Sequence, residues 1–252
     1  MRLTPTDIRP LKRPKQPIVC LTAYTAPIAQ AIDPHCDLLL VGDSVAMTVY
    51  GMANTRGATI DMMAAHGRAV VNATTHACIV IDMPFGTYED SDQQALNNAL
   101  HLISATGAQA VKLEGGTALQ TRIKTLVDAG IPVLGHVGLL PQQFERVEDF
   151  RIQGRDEVSA HRIVNDAKAV EFAGAFAMVI EGVPENLAIQ LTEIVSVPTI
   201  GIGASSACDG QILVCDDMLG LNTGHMPKFV KTYANLAEVT GRAAASYAQD
   251  VR

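Results

Sequence analysis

The sequence predicts a single-domain α/β fold, a closed (β/α)8 TIM barrel, and three observations lead there. Eight short β-rich runs alternate with longer helical patterns, the order that parallel strands joined by crossover helices produce. Five of those runs are apolar and then meet a titratable residue. Residues 38–41 lead into Gly42-Asp43-Ser44, 78–81 into Asp82, and 133–135 into His136. Residues 110–113 carry Lys112 and meet Glu114, and 177–180 meet Glu181. Charges at the exits of successive buried parallel strands open onto one face, and barrels of this class carry their active sites on the C-terminal face. Third, a βα unit repeats: Gly107-Ala108-Gln109-Ala110-Val111-Lys112-Leu113-Glu114-Gly115 aligns with Gly174-Ala175-Phe176-Ala177-Met178-Val179-Ile180-Glu181-Gly182.

In chain order, strands are expected at 18–21, 38–41, 78–81, 110–113, 133–135, 177–180, 199–202 and 211–214. The clearest helix follows the third. Ser91 with Gln94 reads as a capping box, Ala95, Leu96, Ala99, Leu100 and Ile103 as the apolar stripe, and Gly107 as the C-terminal glycine. Further helices are expected at 118–127, 158–172 and about 236–248, the last alanine-rich and on the outside. The segment 138–155 is too long for an ordinary βα loop and reads as a lid or an inter-subunit contact. An N-terminal extension, 1–16, contains the cluster Lys12-Arg13-Pro14-Lys15, which reads as a solvated face.

The bulk numbers narrow the class of function. The chain has 252 residues, 48% hydrophobic and 18% charged, which is ordinary globular composition. A net charge of -7 argues against a nucleic-acid partner, which calls for a basic face. No apolar run reaches the length of a membrane span, and no signal-peptide core follows the basic start. Five cysteines without C-x-x-C spacing predict buried reduced thiols, not a zinc site or a disulfide frame, and a cytoplasmic protein. Gly201-Ile202-Gly203-Ala204-Ser205-Ser206 starts like a dinucleotide loop but lacks the third glycine.

The strand exits carry the candidate chemistry. Asp43, Asp82 and Glu114 would repel one another unless a cation sat between them. An all-oxygen set suits Mg²⁺ or Mn²⁺ better than zinc. The alternative is that each acid merely caps a helix or meets solvent. Lys112 lies in an apolar strand, where it pairs with a substrate carboxylate or braces the barrel against a neighbouring acid. His136 suits a substrate oxygen, a neighbouring carboxylate or a satisfied core position. Glu181, among apolar neighbours and at the repeat position of Glu114, suits a general base.

Several runs resemble ketopantoate hydroxymethyltransferases: Leu-Thr-Ala-Tyr (21–24), Val-Gly-Asp-Ser (41–44), Val-Lys-Leu-Glu-Gly-Gly (111–116) and Gly-His-Val-Gly-Leu (135–139). Ile-Gln-Gly-Arg (152–155), Ile-Glu-Gly-Val-Pro (180–184), Ile-Gly-Ile-Gly-Ala (200–204), Asp-Gly-Gln-Ile-Leu-Val (209–214) and Pro-Lys-Phe-Val-Lys (227–231) continue the match in order. The resemblance implies a phosphoenolpyruvate/pyruvate-like barrel and a one-carbon transfer. The unit passes from 5,10-methylenetetrahydrofolate to 3-methyl-2-oxobutanoate, giving 2-dehydropantoate through a Mg²⁺-stabilised enolate, in pantothenate and coenzyme A biosynthesis. It implies a cytoplasmic homodecamer, a pentamer of dimers. Matched position by position, it places metal at Asp43, Asp82 and Glu114, substrate at Ser44, Asp82, Lys112 and His136, and the base at Glu181. The chain departs from the family pattern at Thr25, Ala46, Leu140, Ser205 and Val71-Asn72. Two rivals remain: a Mg²⁺-dependent 2-oxo-acid lyase of the isocitrate lyase/phosphoenolpyruvate mutase type, disfavoured because its Lys-Lys-Cys-Gly-His loop has no counterpart, and an inactive ligand-binding relative.

Overall fold

The computed structural model describes residues 1–252 except Pro14, Thr223 and His225, so Pro14 of the basic N-terminal cluster lies outside the described residues. The chain forms two compact units, Met1–Ile212 and Leu213–Arg252. In the first, β1 (Ile18–Thr22), β2 (Leu38–Val41), β3 (Cys78–Asp82), β4 (Ala110–Lys112), β5 (Val133–Gly138), β6 (Ala177–Glu181) and β7 (Thr199–Ile202) lead to β8 (Gly210–Leu213), whose last residue opens the second unit. The strands close into a barrel in sequence order, and neighbours pair in parallel from β1 to β8. The Ile18 amide donates to the Asp209 carbonyl at 2.9 Å, on the seam between the two ends of the barrel.

The core divides by strand parity. Side chains two apart on a strand share a face. Ile18, Cys20, Leu38, Leu40, Cys78, Val80, Ala110, Leu134, Ala177, Val179, Ile200 and Ile212 belong to one buried cluster, the barrel interior. The alternate set, including Leu39, Val41, Ile79, Ile81, Val111, Val133, Val137, Met178 and Ile180, packs outward with the helices.

Those helices are α1 (Pro5–Ile8), α2 (Ala26–Ile32), α3 (Val45–Thr48), α4 (Ile60–Ala73), α5 (Asp92–Thr106), α6 (Gln120–Asp128), α7 (Glu157–Phe172) and α8 (Glu185–Ile194). Their starts follow from short polar caps: the side chains of Thr59, Ser91 and Asp156 accept from the amides of Met62, Gln94 and Ser159. The expected capping box at Ser91 is only half formed, because the Gln94 side chain reaches the Asp90 amide instead. The apolar stripe of α5 also shifts. Ala95, Ala99, Leu102 and Thr106 are buried, whereas Leu100 is 48% exposed. Gly107 ends the helix at φ 76°, as expected. Residues 203–209 between β7 and β8 carry no helix, which breaks the strict alternation read from sequence.

Lys12 corrects the reading of the N-terminal cluster as a solvated face. Its Nζ donates to Asp209 Oδ2 at 2.8 Å and to the Thr192 carbonyl at 2.6 Å. Asp209 also accepts from the Arg13 amide at 2.6 Å and from the Thr199 amide and hydroxyl at 2.8 and 3.0 Å. This one carboxylate replaces a crossover helix as the tie between β7, the start of β8 and the N-terminal segment. Burial raises its pKa, but the Lys12 hydrogen bond and the Thr199 and Arg13 amides outweigh that and hold it below 3.8. A depressed folded pKa contributes stability above the unfolded value and loses it as pH falls through the folded one. Asp209→Asn presents an N–H to donors and is expected to cost about 2–3 kcal/mol at neutral pH. The difference from the parent should shrink below about pH 4, as the carboxylate protonates in the unfolded and then the folded parent. Urea melts at pH 7 and pH 3 check this, and equal midpoints at pH 7 would refute it.

The second unit contains α9 (Cys215–Leu219), closed by Gly220 at φ 65°, and α10 (Leu236–Val251), capped by the Asn235 side chain. No residue of α10 is buried, and Val239, Tyr247 and Val251 are exposed. All five cysteines are buried, and none forms a disulfide among the described residues.

Candidate active site

The parity that fills the barrel with apolar side chains also delivers charge to its mouth. The interior positions of β3 run Cys78, Val80, Asp82, and those of β4 run Ala110, Lys112, with Glu114 two residues on. Leu134 is followed by His136, and Ala177 and Val179 by Glu181. Asp43 and Ser44 lie in the turn after β2. Strand ends around the cluster differ from expectation: β3 and β6 take in Asp82 and Glu181, β4 stops at Lys112, before Glu114, and β5 runs on through His136 to Gly138. Gly138 has φ 98°, and a Cβ there would lie 2.3 Å from the Glu181 carbonyl oxygen. Only glycine allows β5 and β6 to approach so closely at this turn.

The structure brings the six titratable candidates into one connected cluster. The Asp43 amide donates to Asp82 Oδ2 at 2.9 Å. Lys112 Nζ lies 2.8 Å from Asp82 Oδ1, 3.9 Å from Glu114 Oε1 and 3.4 Å from His136 Nδ1. His136 bridges two acids: Nδ1 is 3.5 Å from Glu114 Oε1 and Nε2 is 3.2 Å from Glu181 Oε2. The repeat partners Glu114 and Glu181 thus face the two nitrogens of one imidazole. Ser44, half-buried at the edge of the group, shares a 2.7 Å hydrogen bond with the Tyr24 hydroxyl. Asp43, Asp82, Lys112, Glu114 and His136 are all buried, so none of the three acids is a surface residue that merely follows its strand.

The electrostatics are unbalanced toward negative charge. Burial, followed by the charges of Asp82 and Glu114, pushes the Asp43 carboxyl well above the usual range, with only partial relief from Lys112 and Gln142. Asp82 is raised by burial, against the opposing pull of Lys112. Burial also works against Glu114, but His136, Lys112 and the Gln142 amide hold it below the usual value. Burial and the Lys112 charge both pull His136 down, yet Glu114 and Glu181 outweigh them and carry it to about 9. The two acids thus favour the protonated form of His136. Asp82 Oδ1 and His136 Nε2 have charged neighbours but no aligned hydrogen bond. Two adjacent buried carboxyls, of which only Asp82 contacts the Lys112 ammonium and Asp43 has its charge disfavoured, are what a hard cation would relieve.

Two participants carry no sequence signal. Gln142 is 2% exposed and comes from the 138–155 segment. Its Nε2 donates to Asp43 Oδ2 at 2.8 Å and to the Met83 carbonyl at 3.0 Å, and its backbone amide donates to Glu114 Oε2 at 2.9 Å. Tyr88 donates its hydroxyl to Gln142 Oε1 and accepts from the Glu114 amide at 3.3 Å. Both Glu114 oxygens therefore face protein groups. The length of the 138–155 segment was the one available hint, and a glutamine inside Pro-Gln-Gln has no pattern that distinguishes it. Beside the cluster a cavity of about 750 Å³ is walled by Tyr88, Glu114 and Gln142 and extends past Leu119, Leu140 and Phe144 toward His161 and Arg162 on α7. Among the described residues, no helix is long and apolar enough to cross a membrane.

A family model described as ketopantoate hydroxymethyltransferase matches residues 2–252. Two proteins named 3-methyl-2-oxobutanoate hydroxymethyltransferase, from Rhodospirillum rubrum and Agrobacterium fabrum, are each 55% identical to this chain, over 252 and 251 residues. Those alignments cover 100% of this chain and 91% and 90% of the two proteins. Among solved structures, a phosphoenolpyruvate phosphomutase from Streptomyces platensis subsp. rosaceus superposes with a TM-score of 0.63 at 13% identity, covering 99% of this chain and 87% of that one. A 2,3-dimethylmalate lyase of the PEP mutase/isocitrate lyase superfamily gives a TM-score of 0.60 at 19% identity, covering 86% and 79%. At such identities the likeness is one of fold.

Proposed function

The chain belongs to the ketopantoate hydroxymethyltransferase family, and from that premise we propose how its buried cluster performs hydroxymethyl transfer to 3-methyl-2-oxobutanoate. One observation carries the proposal: six titratable side chains from five consecutive strand ends meet in a single buried group with a surplus of negative charge. The 2-oxo-acid lyase reading is disfavoured by the named relatives, which are 55% identical to this chain over its whole length.

Asp43 and Asp82 are the residues that would hold Mg²⁺ or Mn²⁺. Among the described residues no three His, Cys, Asp or Glu side chains are gathered closely enough to hold an ion alone. Two carboxylates plus water and substrate oxygens suit Mg²⁺, which keeps several waters. Glu114 would act through a water, because Mg²⁺ dehydrates reluctantly. When bound, such a cation supplies Lewis acidity toward a 2-oxo acid. Lys112 pairs with the substrate carboxylate, and Ser44 and His136 donate hydrogen bonds to its oxygens. Glu181 accepts the proton from C3. Water adds to the methylene carbon of 5,10-methylenetetrahydrofolate, and both C–N bonds break: the two folate nitrogens take up the two water protons, and the carbon leaves with the water oxygen as formaldehyde. The carbon nucleophile attacks this carbonyl carbon, and the alkoxide that forms takes back the C3 proton from Glu181 to become the new hydroxyl. The cavity beside Glu114 lies in the size range of organic-ligand sites and has room for this second substrate.

By the same premise the protein is a cytoplasmic homo-oligomer, a decamer built as a pentamer of dimers. The exposed Val239, Tyr247 and Val251 of α10 supply apolar surface that supports assembly. Exhaustive treatment with EDTA is expected to abolish turnover, and Mg²⁺ or Mn²⁺ to restore it. Undiminished turnover of chelated protein would sink the assignment of Asp43 and Asp82.

A further inference from the structure

The geometry points to Gln142 as a positioning residue that sets the carboxylates of Asp43 and Glu114 for cation binding, an inference that rests on the cation site proposed above. Every polar group of its side chain is engaged inside the fold. Nε2 donates to Asp43 Oδ2 and to the Met83 carbonyl, while Oε1 accepts from Tyr88. The Met83 carbonyl can only accept, so it determines which end of the amide is the N–H end. The Tyr88 hydroxyl fits that orientation from the opposite side, donating to Oε1 while its oxygen accepts from the Glu114 amide. With the amide locked, Asp43 has one oxygen tied and its carboxylate plane fixed. The Gln142 backbone amide does the same for Glu114 through Oε2 at 2.9 Å.

One residue of the 138–155 segment therefore spans acids on two different strand ends. A side chain of the same length without an amide would fill the space but leave Asp43 free to rotate. Carboxylates that hold metals lose affinity when the groups hydrogen-bonded behind them are removed, typically 10–100-fold. Polarity alone does not explain the arrangement. A serine or water could satisfy one acceptor, but only a carboxamide offers two donors and an acceptor in a plane here.

The test is Mn²⁺ binding to the full-length protein, read as free Mn²⁺ by electron paramagnetic resonance, with no turnover involved. Gln142→Met keeps the volume and the backbone amide but removes the donor to Asp43. Its Mn²⁺ Kd is expected to rise about 10–100-fold. Unliganded circular dichroism should stay unchanged, and KM for Mn²⁺ should rise more than kcat falls. If that variant does not fold, Gln142→Asn is read instead. It retains the amide but is one methylene short of Asp43, and the same loss is expected. Asp43→Asn is the reference. If Asp43→Asn loses Mn²⁺ while the folded Gln142 variant binds as the parent does, the positioning role is overturned and the cation site stands. If neither variant changes Mn²⁺ binding, the cation site fails, and the role of Gln142 fails with it.

Discussion

Glu181→Gln is expected to slow hydroxymethyl transfer by about 10²–10⁴-fold, the usual worth of a general base. The argument starts from position. Glu181 ends β6 on the interior parity, and its Oε2 lies 3.2 Å from His136 Nε2. The other acids are committed elsewhere. Asp82 accepts the Asp43 amide and faces Lys112, and both oxygens of Glu114 face Gln142, His136 and Lys112. Glu181 is the acid with more open surroundings, its side chain 19% exposed where that of Glu114 is 3%. His136 is a poor rival, because each ring nitrogen faces a carboxylate, and the two acids favour the protonated imidazole, which has no lone pair for a proton. Glutamine keeps the size of Glu181 and one acceptor for His136 but removes the basicity. The direct readout is exchange of the C3 hydrogen of 3-methyl-2-oxobutanoate with solvent deuterium in the absence of folate. Exchange as fast as in the parent would move the base elsewhere.

Lys112→Met is expected to have the largest effect on stability. Its ammonium lies 2.8 Å from Asp82 Oδ1 in a pocket where both side chains are almost fully enclosed. Removing one partner of a buried pair leaves the other charge uncompensated and costs about 3–5 kcal/mol. Urea unfolding of the metal-free variant would show this, and divalent cation should recover part of the loss, since it binds the acids left behind. KM for the oxo acid should also rise, because its carboxylate loses the only cationic lysine of the cluster. A Schiff base is not expected at this residue. Burial pulls the Lys112 pKa down, but Asp82, Glu114 and Asp43 outweigh it and hold the amine protonated, whereas imine formation needs the free base. A borohydride-trapped adduct at Lys112 would overturn this, as would a melt no different from the parent.

The period-two pattern of the strands was legible in the sequence by itself. Because side chains alternate, Val80 and Asp82, or Leu134 and His136, had to share a face, and eight such strands with crossovers had to place their ends together. That local arithmetic determined the fold class, the eight strands and the residues at the mouth. Local chemistry also determined the Ser91 cap and the Gly107 stop of α5. What only the tertiary structure decided depends on groups far apart in sequence. The tie between Lys12 and Asp209 joins residues 197 apart, and no pattern near Lys12 marks it as other than solvated. Leu100 faces solvent and Leu102 the core because the rotation of α5 follows its neighbours, whereas the stripe read from sequence had included Leu100 and left out Leu102. Gln142 reaches Asp43 across a separation of 99 residues by the path of a segment without periodicity. Hydrogen bonds are directional and short, so whether a polar side chain is a solvated residue or a brace for a catalytic acid is settled only when barrel closure brings donor and acceptor within 3 Å.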